Sequence, residues 1–318
     1  LKYLEKKIVL IFVGGTLVFI SLFSQSLRLV APLSLVAEHT AHYAGLALVI
    51  FGGFGIGKTR LLTTLDEPTL CIDLEAGLLA VQDWQGDAIS IRTWNEARDI
   101  ACLIGGPNPA LRPDQPYSQK HYEYVCAHYG DPTAMEKYKC IFIDSITVAS
   151  RLCLTWAKSQ PESFSDKTGR SDTRAAYGLL ASEMMAWLNQ FQHIPQKDVI
   201  LVGILEQRLD DFNRPLWVPQ CEGSKTANEI PGVLDEVISM VAMKTEDAPD
   251  KRAFVCQTLN PWGYPAKDRS GRLEMVEEAH LGKLLKKIKT SPAKNQISTP
   301  DFTGDSSATL NIKGAPTL

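Results

Sequence analysis

The stretch FGGFGIGKTR, residues 51–60, has the spacing G-x-x-x-x-G-K-[ST] that is typical of phosphate-binding loops. Glycines allow such a loop to turn its backbone N–H groups inward around phosphates. Lys58 would reach the β- and γ-phosphates of a nucleotide, and the hydroxyl group of Thr59 would complete a Mg²⁺ shell. The stretch therefore predicts a site for ATP and Mg²⁺, formed by Gly52, Gly53, Phe54, Gly55, Ile56, Gly57, Lys58, Thr59 and Arg60.

The sequence on either side of this loop fits a phosphate site. Residues 46–51 are apolar and predict a buried strand, and residues 58–65 predict the start of a helix. A helix that begins near Lys58 would add the positive end of its dipole to the anion site. The alternative is a glycine-rich turn that matches the spacing by accident, which the flanking strand and helix argue against.

A carboxylate that could organise the metal ion follows in YKCIFIDS, residues 138–145. This stretch predicts a buried strand that ends in Asp144. At the carboxyl end of a parallel strand, Asp144 could hold the Mg²⁺ water shell opposite Thr59. The alternative role for Asp144 is a helix cap, because Ser145 and Ile146 begin a predicted helix.

Two further acids, Asp73 and Glu75, lie in LCIDLEAGL, residues 70–78. Because they flank Leu74, both side chains would leave the strand on the same face. Glu75 would lie at the carboxyl edge of the sheet, where it could polarise a water molecule that attacks the γ-phosphate. The alternative is two solvated acids in a turn.

The order of these motifs resembles that of the RecA-like ATPases: strand, GxxxxGKT, helix, then IDLE on the adjacent strand, then IDS. The resemblance implies that Glu75 is the catalytic base and that Lys58 belongs to the same catalytic set. In that family a polar residue after a fourth strand senses the γ-phosphate. The run VILVGILEQ, residues 199–207, ends in Glu206 and Gln207, and the sequence leaves open which of the two would serve.

A third motif, PAKDRSGRL at residues 265–273, resembles the K-x-R-x-G finger of the DnaB and RadA ring ATPases. The resemblance implies that Lys267, Arg269 and Gly271 reach the γ-phosphate bound by a neighbouring subunit, and hence that the protein is a homo-oligomer. Cations from another chain would stabilise the charge of phosphoryl transfer and couple hydrolysis to subunit geometry. The alternative is an exposed basic turn.

Residues 39–289 as a whole resemble the phage-encoded RecA-like ATPases that are grouped with AAA-family ATP-binding proteins. The resemblance implies a role in recombination and single-strand annealing, with single-stranded DNA and recombination or replication proteins as partners. Residues 223–226, which include Lys225, would form a DNA-contacting loop, and an ordinary flexible loop is the alternative. The segments that carry this resemblance are GRSDTRAAYG, EGSKTANEIPGVLDEV and YPAKDRSG.

Strand-like and helical segments alternate after Gly45, which indicates a largely parallel sheet with helices on both faces. Two short strands near residues 254–259 and 273–275 could close one edge. The predicted fold class is α/β, a RecA-like P-loop NTPase with a mostly parallel central sheet and a short antiparallel edge. The predicted strands are residues 47–51, 69–73, 88–92, 140–144, 199–205 and 236–243, and the predicted helices include residues 94–103, 146–159 and 173–192.

Residues 1–38 form a predicted extension that precedes the ATPase domain of residues 39–289. Residues 8–27 are an uncharged run of 20 residues, long enough to cross a bilayer, and the lysines before it would keep the N-terminus in the cytoplasm. A membrane anchor or signal peptide would place the ATP site where ATP is scarce, so we interpret the run as a non-functional extension and predict no membrane partner. Residues 290–318 predict a disordered tail.

The composition favours a cytoplasmic protein with one sizeable domain. The chain has 318 residues, 45% of them hydrophobic, and a net charge of −3. It therefore has no global basic field for nucleic acid, and any DNA contact must be local. Its seven cysteines are odd in number and lack C-x-x-C spacing, which predicts reduced thiols rather than disulfides or a zinc site.

These features predict a Mg²⁺-dependent ATP hydrolase that acts as an oligomer on single-stranded DNA in phage recombination or replication. Two other functions are compatible with a phosphate loop. A P-loop kinase of a small molecule would need an acceptor pocket and an arginine-bearing lid, and it would have no use for Glu75 as a water activator. A nucleotide-dependent assembly switch would bind ATP with little turnover.

Overall fold

The computed structural model describes residues 8–13, 16–21, 45–165, 167–245 and 248–290. Near the N-terminus, β1 (Ile8–Val13) and β2 (Thr16–Ser21) pair as an antiparallel two-stranded sheet. Within the described ranges, no helix has the length and apolar character needed to span a bilayer. The predicted tail from residue 291 onward, and most of the predicted N-terminal extension, lie outside these ranges.

Six parallel strands form the centre of the main sheet. Runs of Val, Ile, Leu, Phe and Cys build all but the outermost strand β5 (Asp87–Ser90), because a strand covered by helices on both faces has no side that meets solvent. β5 is short and mostly exposed. In spatial order these strands are β9 (Glu236–Thr245), β3 (Ala47–Gly52), β7 (Asp198–Leu209), β6 (Cys140–Asp144), β4 (Thr69–Asp73) and β5 (Asp87–Ser90).

Antiparallel strands extend this sheet. β10 (Ala248–Val255) pairs with β9, and β12 (Val276–Glu278) pairs with β10 at the edge. The two-residue strand β11 (Lys267–Asp268) also pairs with β9, and β8 (Pro215–Pro219) forms a hairpin with β7. The predicted α/β class, with a mostly parallel central sheet and an antiparallel edge, is therefore confirmed.

Helices cover both faces of the parallel strands. Trp94, Trp187 and Phe191 are buried in the core on one face, and Leu62 and Phe254 are buried in the core on the other. The 3₁₀-helix Thr59–Thr64 and helix α6 lie on this second face. The α-helices are α1 (Trp94–Gly105), α2 (Gln119–Tyr129), α3 (Ile146–Ser159), α4 (Thr173–Gln192), α5 (Ser224–Val233) and α6 (Leu281–Lys289), and further 3₁₀-helices are Leu78–Val81, Pro132–Met135 and Pro161–Ser163.

Three local predictions were wrong in detail. The predicted helix at residues 58–65 is a 3₁₀-helix that ends before Leu65, whose backbone is extended. The strand with IDLE is not adjacent to β3, because β7 and β6 lie between β3 and β4. The edge strands predicted at residues 254–259 and 273–275 correspond to β10 and β12. β10 begins before its predicted start, because its charged residues also pair with β9.

The segment of residues 223–226 is the beginning of α5 rather than a loop. Gly223 has a φ of 77° and precedes the helix, and Thr226 is buried. The ammonium group of Lys225 lies 3.8 Å from the carboxylate of Glu229, one turn further along. The resemblance to the RecA-like ATPases implied a loop at this point, but the chain after Gly223 already follows a helical path.

Candidate functional site

The phosphate loop leaves the carboxyl end of β3 at Gly52 and reaches its 3₁₀-helix at Thr59. Gly55 and Gly57 have φ angles of 68° and 98°, in the left-handed region that favours glycine. A Cβ atom at Gly52 would lie 3.0 Å from the carbonyl oxygen of Met240 on β9, so the absence of a side chain lets the two backbones approach. These three glycines are therefore required by the shape of the loop.

The ammonium group of Lys58 lies over its own loop. It donates to the carbonyl oxygens of Gly52 at 2.9 Å and Gly53 at 3.0 Å. Burial lowers the pKa of Lys58, while the carboxylates of Asp144 and Glu75 act in the opposite direction. Lys58 thus lies within electrostatic reach of both predicted acids, and charged phosphate oxygens would be stronger acceptors than the carbonyls that it contacts.

The two residues predicted to organise Mg²⁺ are in direct contact. The hydroxyl group of Thr59 donates to Oδ2 of Asp144 at 2.6 Å. β6 ends at Asp144 and leaves its side chain buried. Burial raises the pKa of Asp144 to about 6, the Thr59 hydrogen bond opposes the rise, and the nearby acids Glu75 and Asp73 add to it.

The cap of helix α3 is Ser145 rather than Asp144. The hydroxyl oxygen of Ser145 accepts from the backbone N–H of Val148 at 3.4 Å, which is the contact of a helix N-cap. The capping role that the sequence left open for Asp144 is therefore taken by its neighbour. The Asp144 carboxylate is directed at Thr59 instead.

Glu75 follows β4 and lies beside this pair. The hydroxyl group of Ser145 donates to the Glu75 carboxylate. Oδ1 of Asp73 accepts from the backbone N–H groups of Glu75 at 3.1 Å and Gly77 at 3.2 Å. The two acids of IDLE therefore differ in their contacts: Asp73 is buried and holds the turn, whereas Glu75 is exposed next to Asp144.

The sequence did not reveal that Asp73 and Ser145 position Glu75. Asp73 and Asp144 are opposite each other in the paired strands β4 and β6, so the residues after both strands meet at one point. Polar residues at the carboxyl ends of two strands were the signal in the sequence. The strand order that makes β4 and β6 neighbours was needed to interpret it.

The oxygen atoms at this point suit Mg²⁺. Thr59 and Asp144 offer a hydroxyl and a carboxylate, which are ligands that a hard cation prefers. Across the described residues, no group of three or more His, Cys, Asp or Glu side chains could hold a metal ion. Mg²⁺ commonly binds through one or two protein oxygens with water and substrate phosphates, so Thr59 and Asp144 are the residues that would hold it.

Other predicted loop residues have different surroundings. The guanidinium group of Arg60 pairs with Asp83 at 3.0 Å and donates to the carbonyl oxygen of Ala80, so its side chain is directed at the next 3₁₀-helix. Phe54, at the tip of the loop, is 75% exposed. Ile56 packs partly against the core on the face of the 3₁₀-helix. The Arg60 side chain is therefore held by Asp83 rather than by the loop.

The two sensor candidates lie where β7 extends beyond the parallel strands. Glu206 accepts from Nε2 of Gln220 at 2.9 Å and pairs with Arg208. Because side chains alternate along a strand, Glu206 shares a face with Val202, which packs in the core on the side of the phosphate loop's 3₁₀-helix. Gln207 is on the opposite face. Alternation therefore puts Glu206, and not Gln207, on the face of the sheet that carries this 3₁₀-helix.

The predicted finger residues lie at the amino end of the parallel strands, whereas the phosphate loop lies at their carboxyl end. Arg269 pairs with Asp235 at 2.5 Å, immediately before β9 begins at Glu236. β9 and β3 are parallel, and Glu236 lies near the start of β3, whereas the phosphate loop follows its end. Lys267 and Arg269 are therefore too far from the phosphate loop of their own chain to contact it.

Polar contacts hold both cations at this edge. The ammonium group of Lys267 donates to the carbonyl oxygens of Pro231 at 3.0 Å and Leu234 at 2.7 Å, at the carboxyl end of α5. Burial lowers the pKa of Lys267, and the charge of Arg269 adds to the effect. The buried carboxylate of Glu236 accepts from the backbone N–H of Arg269 at 3.2 Å, and burial raises the pKa of Glu236 to about 7.

Comparison with solved structures found matches at low sequence identity and low TM-score. An ATPase from the type III secretion system of pathogenic bacteria is 15% identical with a TM-score of 0.34, and the match covers 62% of this chain and 52% of that one. The RadB recombinase is 16% identical with a TM-score of 0.28, over 70% of this chain and 85% of that one. The flagellar accessory protein FlaH from Methanocaldococcus jannaschii is 11% identical with a TM-score of 0.30, over 71% and 83%.

This chain thus spans about half the length of the secretion ATPase that it matches. A comparison with curated proteins found no match. A family model described as an AAA domain matches residues 44–270. That range contains the phosphate loop, Glu75, Asp144 and Arg269, and it covers more than half of the sequence. The chain therefore belongs to the AAA domain family.

Proposed function

We propose that this AAA domain binds ATP and hydrolyses it in a Mg²⁺-dependent reaction. The observation that carries the proposal is the 2.6 Å contact between Thr59 and Asp144, with Glu75 beside it. A phosphate loop alone occurs in many nucleotide-binding proteins. An exposed carboxylate next to the metal-binding oxygens is what favours hydrolysis, because it can accept a proton from an attacking water molecule.

Each residue has its own task in this reaction. Lys58 and the backbone N–H groups of the loop bind and orient the phosphates. Thr59 and Asp144 hold Mg²⁺, which supplies positive charge against the phosphate oxygens when it is bound. Glu75 accepts the proton of the attacking water, and the hydrogen bond from Ser145 keeps its carboxylate in place.

The proposed active unit is a homo-oligomer in which the finger of Lys267, Arg269 and Gly271 completes the site of a neighbouring subunit. The distance of this finger from the phosphate loop of its own chain supports a role in trans. Lys267 would have to leave the carbonyl groups of α5 to reach a phosphate, whereas Arg269 has one ion pair and is half exposed. Arg269 is therefore the stronger candidate of the two.

The proposed biological role is in phage recombination or replication on single-stranded DNA, in the cytoplasm, with proteins of those processes as partners. The resemblance of the sequence motifs supports it. The hairpin of β7 and β8 offers one surface for stacked bases, since Phe212 is 78% exposed and the guanidinium group of Arg214 lies 5.1 Å from its ring centre. The proposed layout keeps residues 39–289 as the ATPase domain, between the extension 1–38 and the tail 290–318, with no membrane partner.

The rate of phosphate release from ATP tests this function. It is measured on the full chain with Mg²⁺ and with EDTA, each in the presence and absence of single-stranded DNA. We expect turnover that requires Mg²⁺ and that rises when single-stranded DNA is added. Double-stranded DNA of the same length is the control for the strand preference.

Other outcomes separate the rival functions. Nucleotide binding with no turnover under any condition would favour the assembly switch. Transfer of the γ-phosphate to a small molecule rather than to water would favour a kinase. A rate of phosphate release that does not change when DNA is added would support ATP hydrolysis and overturn the role on single-stranded DNA.

A further inference from the structure

Arg252 lies against the phosphate loop of its own chain. A Cβ atom built on Gly57 would lie 2.7 Å from Nη1 of Arg252, 3.0 Å from its Cζ and 3.4 Å from its Nη2. The flat guanidinium group therefore covers the last glycine of the loop, one residue before Lys58. Arg252 belongs to none of the motifs found in the sequence. It follows the phosphate loop by almost 200 positions along the chain.

Strand register explains how Arg252 reaches the loop. Gly52, where the loop begins, is opposite Met240 of β9, and Arg252 of β10 is opposite Ala242. Arg252 therefore lies two residues beyond the end of β3, above the carboxyl edge of the sheet. Its side chain shares a face with Phe254, which is buried in the core under the 3₁₀-helix of the loop.

The two sides of the loop differ in charge. The strands on one side bring Asp144, Glu75 and Asp73 to the edge of the sheet. On the other side, β10 brings Arg252, whose side chain is exposed. Among the side chains that the structure describes, Arg252 has no acidic partner. A guanidinium group in this position has two N–H donors facing a loop whose backbone is shaped for phosphates.

We propose that Arg252 binds the phosphate groups of the nucleotide in cis, from the side of the loop opposite the carboxylates. The inference rests on the proposed ATP site and adds a residue to it. Arg252 would contribute to nucleotide affinity through charge-assisted hydrogen bonds, and it would share the countercharge of the phosphates with Lys58. This role differs from that of Arg269, which would act on a neighbouring subunit.

Nucleotide titration of the full chain tests the role of Arg252. A fluorescent ADP analogue is titrated in Mg²⁺ buffer, with unlabelled ATP and ADP as competitors. Arg252→Ala and Arg252→Gln should both raise Kd for ATP and ADP by about tenfold or more, because each loses a hydrogen bond to a charged group. Arg252→Lys should show a smaller loss, since it keeps the charge but not the two-pronged geometry.

Two controls separate phosphate binding from a structural effect on the loop. Lys251→Ala removes a neighbouring exposed cation whose side chain leaves the other face of β10, and it should leave Kd unchanged. The thermal midpoint of Arg252→Ala without nucleotide should equal that of the wild type. Its loss of affinity should shrink at high ionic strength, where the contribution of a charge is screened.

The outcomes for the two proposals are distinct. Wild-type affinity for ATP in Arg252→Ala and Arg252→Gln would overturn the assignment of Arg252 and leave the ATP site intact. Equal losses in Lys251→Ala and Arg252→Ala would overturn it as well, since a diffuse surface charge would explain both. A wild-type chain that binds no nucleotide would overturn the proposed function and this assignment together.

Discussion

Asp144 is the residue at which the proposed metal binding and the stability of the fold conflict. Metal binding requires an ionised carboxylate, whereas burial raises the pKa of Asp144 to about 6. Above that pH the folded chain holds a buried negative charge, which Thr59 and Lys58 compensate only in part. A bound cation would offset this cost. Without a ligand, the folded chain is therefore less stable with an ionised Asp144 than it would be with a neutral side chain at this position.

Replacing the charge should therefore stabilise the chain. Because the folded pKa is raised, wild-type stability should fall as pH rises from about 4, the unfolded pKa of Asp144, to its folded value of about 6. Asp144→Asn lacks this decline. Its free energy of unfolding should therefore exceed that of the wild type, by a difference that grows over this pH range to on the order of 2 kcal/mol. Urea unfolding of both proteins at several pH values measures the difference.

The same variant should lose Mg²⁺-dependent nucleotide binding, because an amide is a weaker ligand for the cation than a carboxylate. Parallel pH profiles of stability for the two proteins would show that the Asp144 carboxylate is not destabilised by burial. Unchanged Mg²⁺ dependence would remove Asp144 from the metal site.

Glu75 should affect turnover rather than binding. Glu75→Gln keeps the size of the side chain and its contact with Ser145, but an amide cannot take a proton from water. We expect ATP affinity close to wild type and turnover lower by about 100-fold or more. Glu67→Gln is a matched control, because it changes an exposed acid that precedes β4 at the other edge of the sheet. Near-normal turnover in Glu75→Gln would make Glu75 a surface acid.

At the scale of elements, close packing between β3, β7 and α3 supports the base of the phosphate loop. Gly203 of β7 pairs with Phe51 of β3. A Cβ atom at Gly203 would lie 2.8 Å from Cε1 of Phe51 and 2.9 Å from Cγ2 of Ile146, which is the first residue of α3. The three elements therefore meet where a side chain would not fit.

Gly203→Ala should destabilise the fold by about 1–3 kcal/mol, because an added methyl group would overpack this contact. Gly178→Ala provides the matched control, since a Cβ at this exposed position in α4 would meet no atom within 4 Å. That variant should stabilise by about 0.5–1 kcal/mol, because alanine loses less backbone entropy in a helix. Chemical unfolding of both variants checks the signs. Destabilisation by both, or by neither, would contradict the packing argument.

At the scale of the whole molecule, the ends of the parallel strands are chemically different. The carboxyl edge carries the phosphate loop with Asp144 and Glu75, whereas Arg269 and its partner Asp235 lie at the amino edge. The chain therefore presents the phosphate loop at one edge and a cation at the other. In the proposed homo-oligomer, stacking of the chains would bring the Arg269 of one to the phosphates bound by the next.

Mixing two inactive variants tests this arrangement. Arg269→Ala should keep ATP binding but lose most turnover, since arginines supplied in trans contribute about 10³ or more to such rates. Lys58→Ala should lose ATP binding, because the phosphates lose a main countercharge. Mixed subunits can combine an intact loop with an intact Arg269, so part of the activity should return.

Light scattering must confirm that the two variants assemble together. Absence of recovery in co-assembled samples would place Arg269 outside the active site. A fully active monomer would remove the shared site altogether. Asp235→Asn is a useful companion, because it releases Arg269 from its ion pair without removing the cation.

The sequence by itself determined the parts of this protein that depend on local spacing. The phosphate loop requires glycines at set intervals. The strands β4 and β6 and the helices α3 and α4 begin and end at the residues that the sequence predicted. Periodicity and caps are local properties, so one segment suffices to recognise them. The α/β class followed from the alternation of these segments.

Tertiary structure decided which of these parts meet. The order of strands placed β4 beside β6 and let Ser145 contact Glu75, although 70 positions separate them. It also brought Arg252 to Gly57 and left Arg269 at the far edge. Pairing between distant strands depends on how whole faces pack together rather than on any one segment. Local spacing could identify the chemical groups, but it could not determine their neighbours.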